Sequence, residues 1–205
     1  MRIFLSTSLV VSTIMALSLA AQERMSGTQA TMPSPGEQVE QSLATTDGGA
    51  IPYLLYQPKR YDADGAKVPL MLFLHGRGES HGPLNVVAKW GPPRRLAAGE
   101  HMKYLVVSPQ CPRSSFWSKK DQQVRLLELL AHITKTYNVD TDRIYLTGLS
   151  MGGYGTWRLA ADHPSMFAAA IPVCGAGDPK DGAKLTDVPI WAWHGDEDRT
   201  VPHNR

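Results

Sequence analysis

Gly148-Leu149-Ser150-Met151-Gly152 follows the apolar run Arg143-Ile144-Tyr145-Leu146-Thr147 and precedes Gly153-Tyr154-Gly155-Thr156-Trp157-Arg158-Leu159-Ala160-Ala161. The run before it reads as a short buried strand, and the stretch after it can continue as a helix despite Gly155. Strand, sharp turn and helix form the context in which a G-x-S-x-G turn lifts a serine hydroxyl clear of the backbone. The flanking glycines let the chain turn tightly, so Ser150 is the candidate nucleophile. A serine before a helix can also be an ordinary N-cap. The choice between the two rests on what else the chain carries.

Two further strand ends carry matching chemistry. Pro69-Leu70-Met71-Leu72-Phe73-Leu74 is a continuous apolar run that opens into His75-Gly76-Arg77-Gly78, a glycine-rich loop whose backbone N–H groups can face an oxyanion. Pro189-Ile190-Trp191-Ala192-Trp193 runs into His194-Gly195-Asp196-Glu197-Asp198-Arg199-Thr200-Val201-Pro202, which puts acidic residues downstream of the serine. Each run alone could be a core strand and nothing more. Together they fit a machine in which a base takes the serine proton and an acid, Asp198 or Asp196, holds that base in one tautomer.

Between these segments the chain alternates strand and helix. Strands are expected over Ile51 to Gln57, Pro69 to Leu74, Tyr104 to Val107, Arg143 to Thr147 and Ala168 to Val173. A helix over Asn85 to Ala98 is interrupted by Gly91-Pro92-Pro93. Asp121 to Tyr137 is the clearest helix, with Val124, Leu127, Leu130, Ala131, Ile133 and Thr134 at helical spacing. This alternation predicts an α/β fold with a mostly parallel central sheet covered by helices on both faces.

His75-Gly76-Arg77-Gly78-Glu79, Ser108-Pro109-Gln110-Cys111-Pro112, Gly148 to Gly153 and His194 to Pro202 together resemble the α/β-hydrolase superfamily, in particular secreted esterases of the phospholipase/carboxylesterase and dienelactone-hydrolase type. The resemblance spans residues 45–205. It implies an acyl-serine mechanism with no metal and no cofactor. Ser150 attacks and Asp198, the second aspartate of its segment, serves as the acid, leaving Asp196 as a turn former. The backbone N–H groups of Met151 and Arg77 form the oxyanion hole, each donor being worth roughly 3 kcal/mol. His75 and His194 fall to structural roles beneath the loops. The Arg77 side chain could bind an anionic substrate group or lie on the surface. Phe116 and Trp117 are the foremost pocket-lining candidates, with Trp90 and Gln110 behind them, while Trp191 and Trp193 are expected in the core.

The resemblance also places the catalytic histidine tens of residues after the acid. The only histidine after Asp198 is His203, five residues on. The chain is therefore expected to stop before the last strand and helix of the fold, with the base in a further C-terminal piece. A prolyl-oligopeptidase-type peptidase shares the same turn, and a non-catalytic relative with a binding role is a further alternative.

With 205 residues the chain is expected to form one such domain. Residues 1–20 read as a signal peptide: Arg2, an apolar stretch interrupted by Ser and Thr, and Ser18-Leu19-Ala20 before the cut. A membrane anchor is the alternative, but the stretch is short of a clean span. Residues 21–44 are expected to form a flexible leader, and residues 45–205 the hydrolase domain. Secretion or periplasmic export follows. The net charge of +2, with acids and bases interspersed, excludes the basic stripe of a nucleic-acid binder. The expected partner is a small-molecule or polysaccharide-linked ester. Cys111 and Cys174 are the only cysteines. Export permits a disulfide between them, although their strands are not expected to be neighbours, and two free thiols are preferred.

Overall fold

The computed structural model describes residues 33–202. The expected signal peptide, the first part of the expected leader and His203 lie outside the described residues. The elements that position the site are strands β1 (Gln38–Ala44), β2 (Ala50–Tyr56), β3 (Val68–Leu74), β4 (Leu105–Pro109), β5 (Val139–Leu149) and β6 (Ala169–Val173). The helices are α1 (Gly91–Ala97), α2 (Lys120–Thr136) and α3 (Met151–Asp162), with short 3-10 turns between.

The strands form a six-stranded sheet in the order β1-β2-β4-β3-β5-β6. β4, β3, β5 and β6 run parallel, and β1 and β2 add an antiparallel edge. The parallel strands are short apolar runs because both of their faces are covered. Along β2 and β4 the alternation is plain. Leu55 and Val107 belong to the large core cluster, which also takes Leu126, Leu129, Leu130 and Ile133 of α2 and Leu159 and Ala160 of α3. Tyr56 and Val106 point the other way, into a smaller cluster capped by Leu96 of α1. No described helix is long and apolar enough to cross a membrane.

Two expectations about these elements need correction. The stretch from Gln38 to Ala44 was expected within the leader, yet it is β1, paired along its length with β2. Its half-buried Val39, Gln41 and Leu43 alternate with exposed Glu40, Ser42 and Ala44, a period of two hidden by polar composition. The buried stripe of α2 is Gln122, Gln123, Leu126, Leu129, Leu130 and Ile133, so Val124 and Ala131 face outward. The interruption expected within Asn85 to Ala98 is present: a 3-10 turn over Leu84–Lys89 is followed by α1, split where Trp90 takes extended backbone.

Beyond β6, the Pro189 to Trp193 segment touches the sheet edge only through bridges from Ala170 to Ile190 and from Val173 to Trp193. Trp191 and Trp193 are 63% and 52% exposed, stacked on each other with ring centroids 4.9 Å apart. They are surface rings, because no described element covers that edge.

The sheet and α3 meet at Gly152. A Cβ built there would lie 1.9 Å from the Leu74 carbonyl oxygen and 3.0 Å from that of His75. Only a hydrogen fits between α3 and the end of β3. Gly152→Ala is expected to lower stability by about 3 kcal/mol, since helix and strand must separate to admit the methyl group. A urea unfolding midpoint equal to the parent's would show that the two elements are not in this contact.

Candidate active site

The turn between β5 and α3 holds Ser150 at φ 54°, ψ −114°. Positive φ at a residue with a Cβ stores about 1–3 kcal/mol of backbone strain. The strain persists because the surroundings over-determine it. The Ser150 N–H donates to the Val173 carbonyl at 2.9 Å, and its carbonyl accepts from Tyr154 N–H at 3.1 Å. The hydroxyl makes no capping hydrogen bond to the helix it precedes. It is left pointing into a cleft of about 340 Å³ lined by Arg77, Phe116, Ser118, Ser150, Met151 and Tyr154.

Two backbone donors adjoin that hydroxyl. Met151 opens α3 and Arg77 opens the 3-10 turn Arg77–Ser80, and the first N–H groups of such turns have no partner within them. The loop lies close against Ser150: a Cβ at Gly76 would sit 3.7 Å from the Ser150 Cβ. What holds the loop there is His75. Its Nδ1 is 2.6 Å from the Gly76 carbonyl, to which it donates, and its Nε2 accepts from the Cys111 N–H at 2.9 Å. The neutral ring meets both partners in one tautomer. Burial pushes its pKa down to about 4, against a smaller upward pull from the Gly76 carbonyl.

The acidic segment reaches the site through β6. Cys174 N–H donates to the Trp193 carbonyl at 2.8 Å, which brings the following turn alongside the end of β6. In that turn Asp198 Oδ1 accepts from the N–H groups of Thr200 at 2.8 Å and Val201 at 2.9 Å. These bonds, Val201 first, hold its carboxyl below the usual carboxylate range. Among the described residues Oδ2 has no closer polar partner than His194 Nε2 at 3.7 Å, and His194 Nε2 itself donates to the Val201 carbonyl at 2.6 Å. Asp196 is exposed. Of the two aspartates, Asp198 is the one the fold anchors. The Cys174 thiol is raised by burial, lowered by the Ser150 N–H and raised again by the Asp198 charge.

The structure sorts the remaining candidates. Phe116 is 44% exposed and lines the cleft. Trp117 does not: it is fully buried, stacks edge-on against His75 and donates through Nε1 to the His75 carbonyl at 3.0 Å. Room for it is made by Gly155, where a Cβ would lie 2.4 Å from that of Trp117. Gln110 donates to the Glu79 carbonyl at 2.9 Å and so braces the Arg77–Ser80 turn. Trp90 sits at the start of α1 beneath Lys89 and Arg94, outside the cleft. The Arg77 guanidinium donates to the Ser115 and Arg113 carbonyls, both at 2.7 Å, and lies over the Phe116 ring, so it clamps the loop. Cys111 and Cys174 are free thiols. Sequence reasoning missed Tyr154 and Ser118. Tyr154 was legible in principle, one helical turn beyond Ser150, but Ser118 reaches the cleft only through the loop's path.

A solved thermostable esterase superposes on this chain with a TM-score of 0.71 at 34% sequence identity over 82% of this chain and 48% of that one. The chain has the α/β-hydrolase fold. The prolyl oligopeptidase family model matches residues 118–204 of this α/β-hydrolase chain. A bifunctional acetylxylan esterase/xylanase of Neocallimastix patriciarum is 31% identical over 67% of the chain and 20% of its own length. Acetylxylan esterase A of Emericella nidulans is 25% identical over 70% of the chain and 48% of its own length. The chain thus spans less than half the length of either relative.

Two outcomes are expected. The folded-state pKa of His75 lies below its ordinary value of 6.5, so the unfolded chain takes the proton first. Its contribution to stability is complete above pH 6.5 and is lost as pH falls toward 4, reaching about 3 kcal/mol. Urea midpoints between pH 7 and 4.5 should fall steeply in the parent and less so in His75→Asn; parallel slopes would refute the assignment. Separately, Ser150→Gly should unfold at higher urea than Ser150→Ala by about 1 kcal/mol, since glycine tolerates the positive φ. Equal midpoints would show the turn to be unstrained.

Proposed function

We propose that this domain is a serine esterase that cleaves carboxylic esters through an acyl-serine intermediate. The observation that carries the reading is Ser150: a strained, uncapped serine whose hydroxyl enters a cleft beside two helical N-termini. A serine hydroxyl is weakly nucleophilic unless a base removes its proton. In the reaction Ser150 Oγ bonds to the ester carbonyl carbon while its proton passes to an imidazole. The carbonyl oxygen becomes an oxyanion facing the N–H groups of Met151 and Arg77. Collapse expels the alcohol, which takes the proton back, and water then repeats the sequence to free the acid. Asp198 Oδ2 orients the imidazole and stabilises its charged form. His75 has both ring nitrogens engaged and His194 Nε2 bonds the Val201 carbonyl, which supports a histidine after Asp198 as the base.

The acetylxylan esterase relatives support an ester carried on a polysaccharide, and the apolar N-terminus supports export. A peptidase is the second reading, favoured by the family match over residues 118–204. Hydrolysis of p-nitrophenyl acetate, set beside a prolyl p-nitroanilide, separates the two. The ester should turn over and the anilide should not, with Ser150→Ala losing about 10³-fold or more and Asp198→Asn a comparable factor. A folded sample that hydrolyses neither and takes up no fluorophosphonate at Ser150 would sink the proposal.

A further inference from the structure

Next to the nucleophile cleft lies a second cavity of about 290 Å³. The two share Ser118 and Tyr154 as a common wall. Ser150, Tyr154 and the pair Trp157 and Arg158 follow one another at helical spacing, so a single face of α3 runs from the nucleophile into this cavity. Along the helix axis the step from Ser150 to Trp157 is ~10 Å. The far side of the cavity is the segment after β6, with Ala176, Asp178 and Leu185.

The chemistry of the walls restricts the occupant. Trp157 is half-buried, packs against Gly177 and donates through Nε1 to the Gly175 carbonyl, which fixes its ring as a rigid wall. Arg158 is fully engaged: it binds Asp162 through Nε and Nη2, and Asp181 through Nη1 at 3.0 Å. Asp181 is further paired with Lys184 Nζ at 2.7 Å. Among the lining groups Asp178 and Asp181 outnumber Arg158, which leaves the wall a small negative excess. An anion is repelled and a cation finds no free carboxylate of Asp181. The Tyr154 phenol makes no side-chain hydrogen bond among the described residues, and Ser118 is exposed. An aromatic face, a free phenol and a hydroxyl suit a neutral, hydroxyl-rich ring, which offers apolar C–H faces to stack and hydroxyls to bond.

We propose that this cavity is a sugar subsite for the alcohol side of the ester, receiving the pyranose ring next to the one that carries the acyl group. The proposal rests on the esterase reading for the direction of the cleft, and the site itself can be tested without turnover. In the Ser150→Ala protein, xylotriose should shift the Trp157 indole signal in NMR spectra, assigned by its absence in Ser150→Ala/Trp157→Phe. Adding Ala176→Trp, which fills the cavity, should abolish the shift. In the enzyme with Ser150 intact, Ala176→Trp should lower the ratio of kcat/KM for acetylated xylo-oligosaccharide to that for p-nitrophenyl acetate by about tenfold or more. An unmoved Trp157 signal, or a shift that survives Ala176→Trp, would overturn the subsite. An unchanged ratio would overturn its coupling to the ester. Loss of all hydrolysis with binding intact would overturn the esterase reading and leave the sugar site standing.

Discussion

The approach of α3 to the end of β3, with Gly152 against the Leu74 carbonyl, is the constraint on which the site depends. It forces the chain to leave β5 and enter the helix within a single residue, and that residue is Ser150. The serine cannot relax to an ordinary helical cap because its N–H is already held by the Val173 carbonyl of β6. Ser150 is thus fixed from both neighbouring parallel strands at once. Its strain is a by-product of packing a helix that closely against a sheet.

His75 performs the matching task for the loop that follows β3. Its imidazole joins the end of β3 to the end of β4 by bonding the Gly76 carbonyl and the Cys111 N–H, while Trp117 packs against the ring and bonds its carbonyl. A buried imidazole with both nitrogens engaged cannot shuttle protons. It can keep the Arg77 amide in place, and Gln110 and the Arg77 guanidinium brace the same turn from outside. These bonds from both sides hold the loop in place.

Much of this was legible in the chain itself. The elbow, the glycine-rich loop and the anchored Asp198 were readable because each sits at the end of a continuous apolar run, and the hydrophobic effect puts such runs inside a sheet. β1 escaped notice because one residue in two carries its burial, and those residues include Gln41. The stripe of α2 was misjudged because glutamines at positions 122 and 123 are buried where apolar residues were sought. Trp191 and Trp193 looked like core because aromatic residues usually are, but a sheet edge with no described helix over it leaves them in solvent.

Local sequence determined where the strands end, which serine sits at a turn and which backbone donors are left without helical partners. Those are consequences of apolar runs and glycines over a few residues. Tertiary structure alone decided that Trp117 is a buried brace while its neighbour Phe116 lines the cleft, that the Arg77 guanidinium bonds a loop 36 to 38 residues away, and that a second cavity opens beside the first. Side chains one residue apart point in opposite directions, and which direction meets solvent is set by what the rest of the chain packs against it.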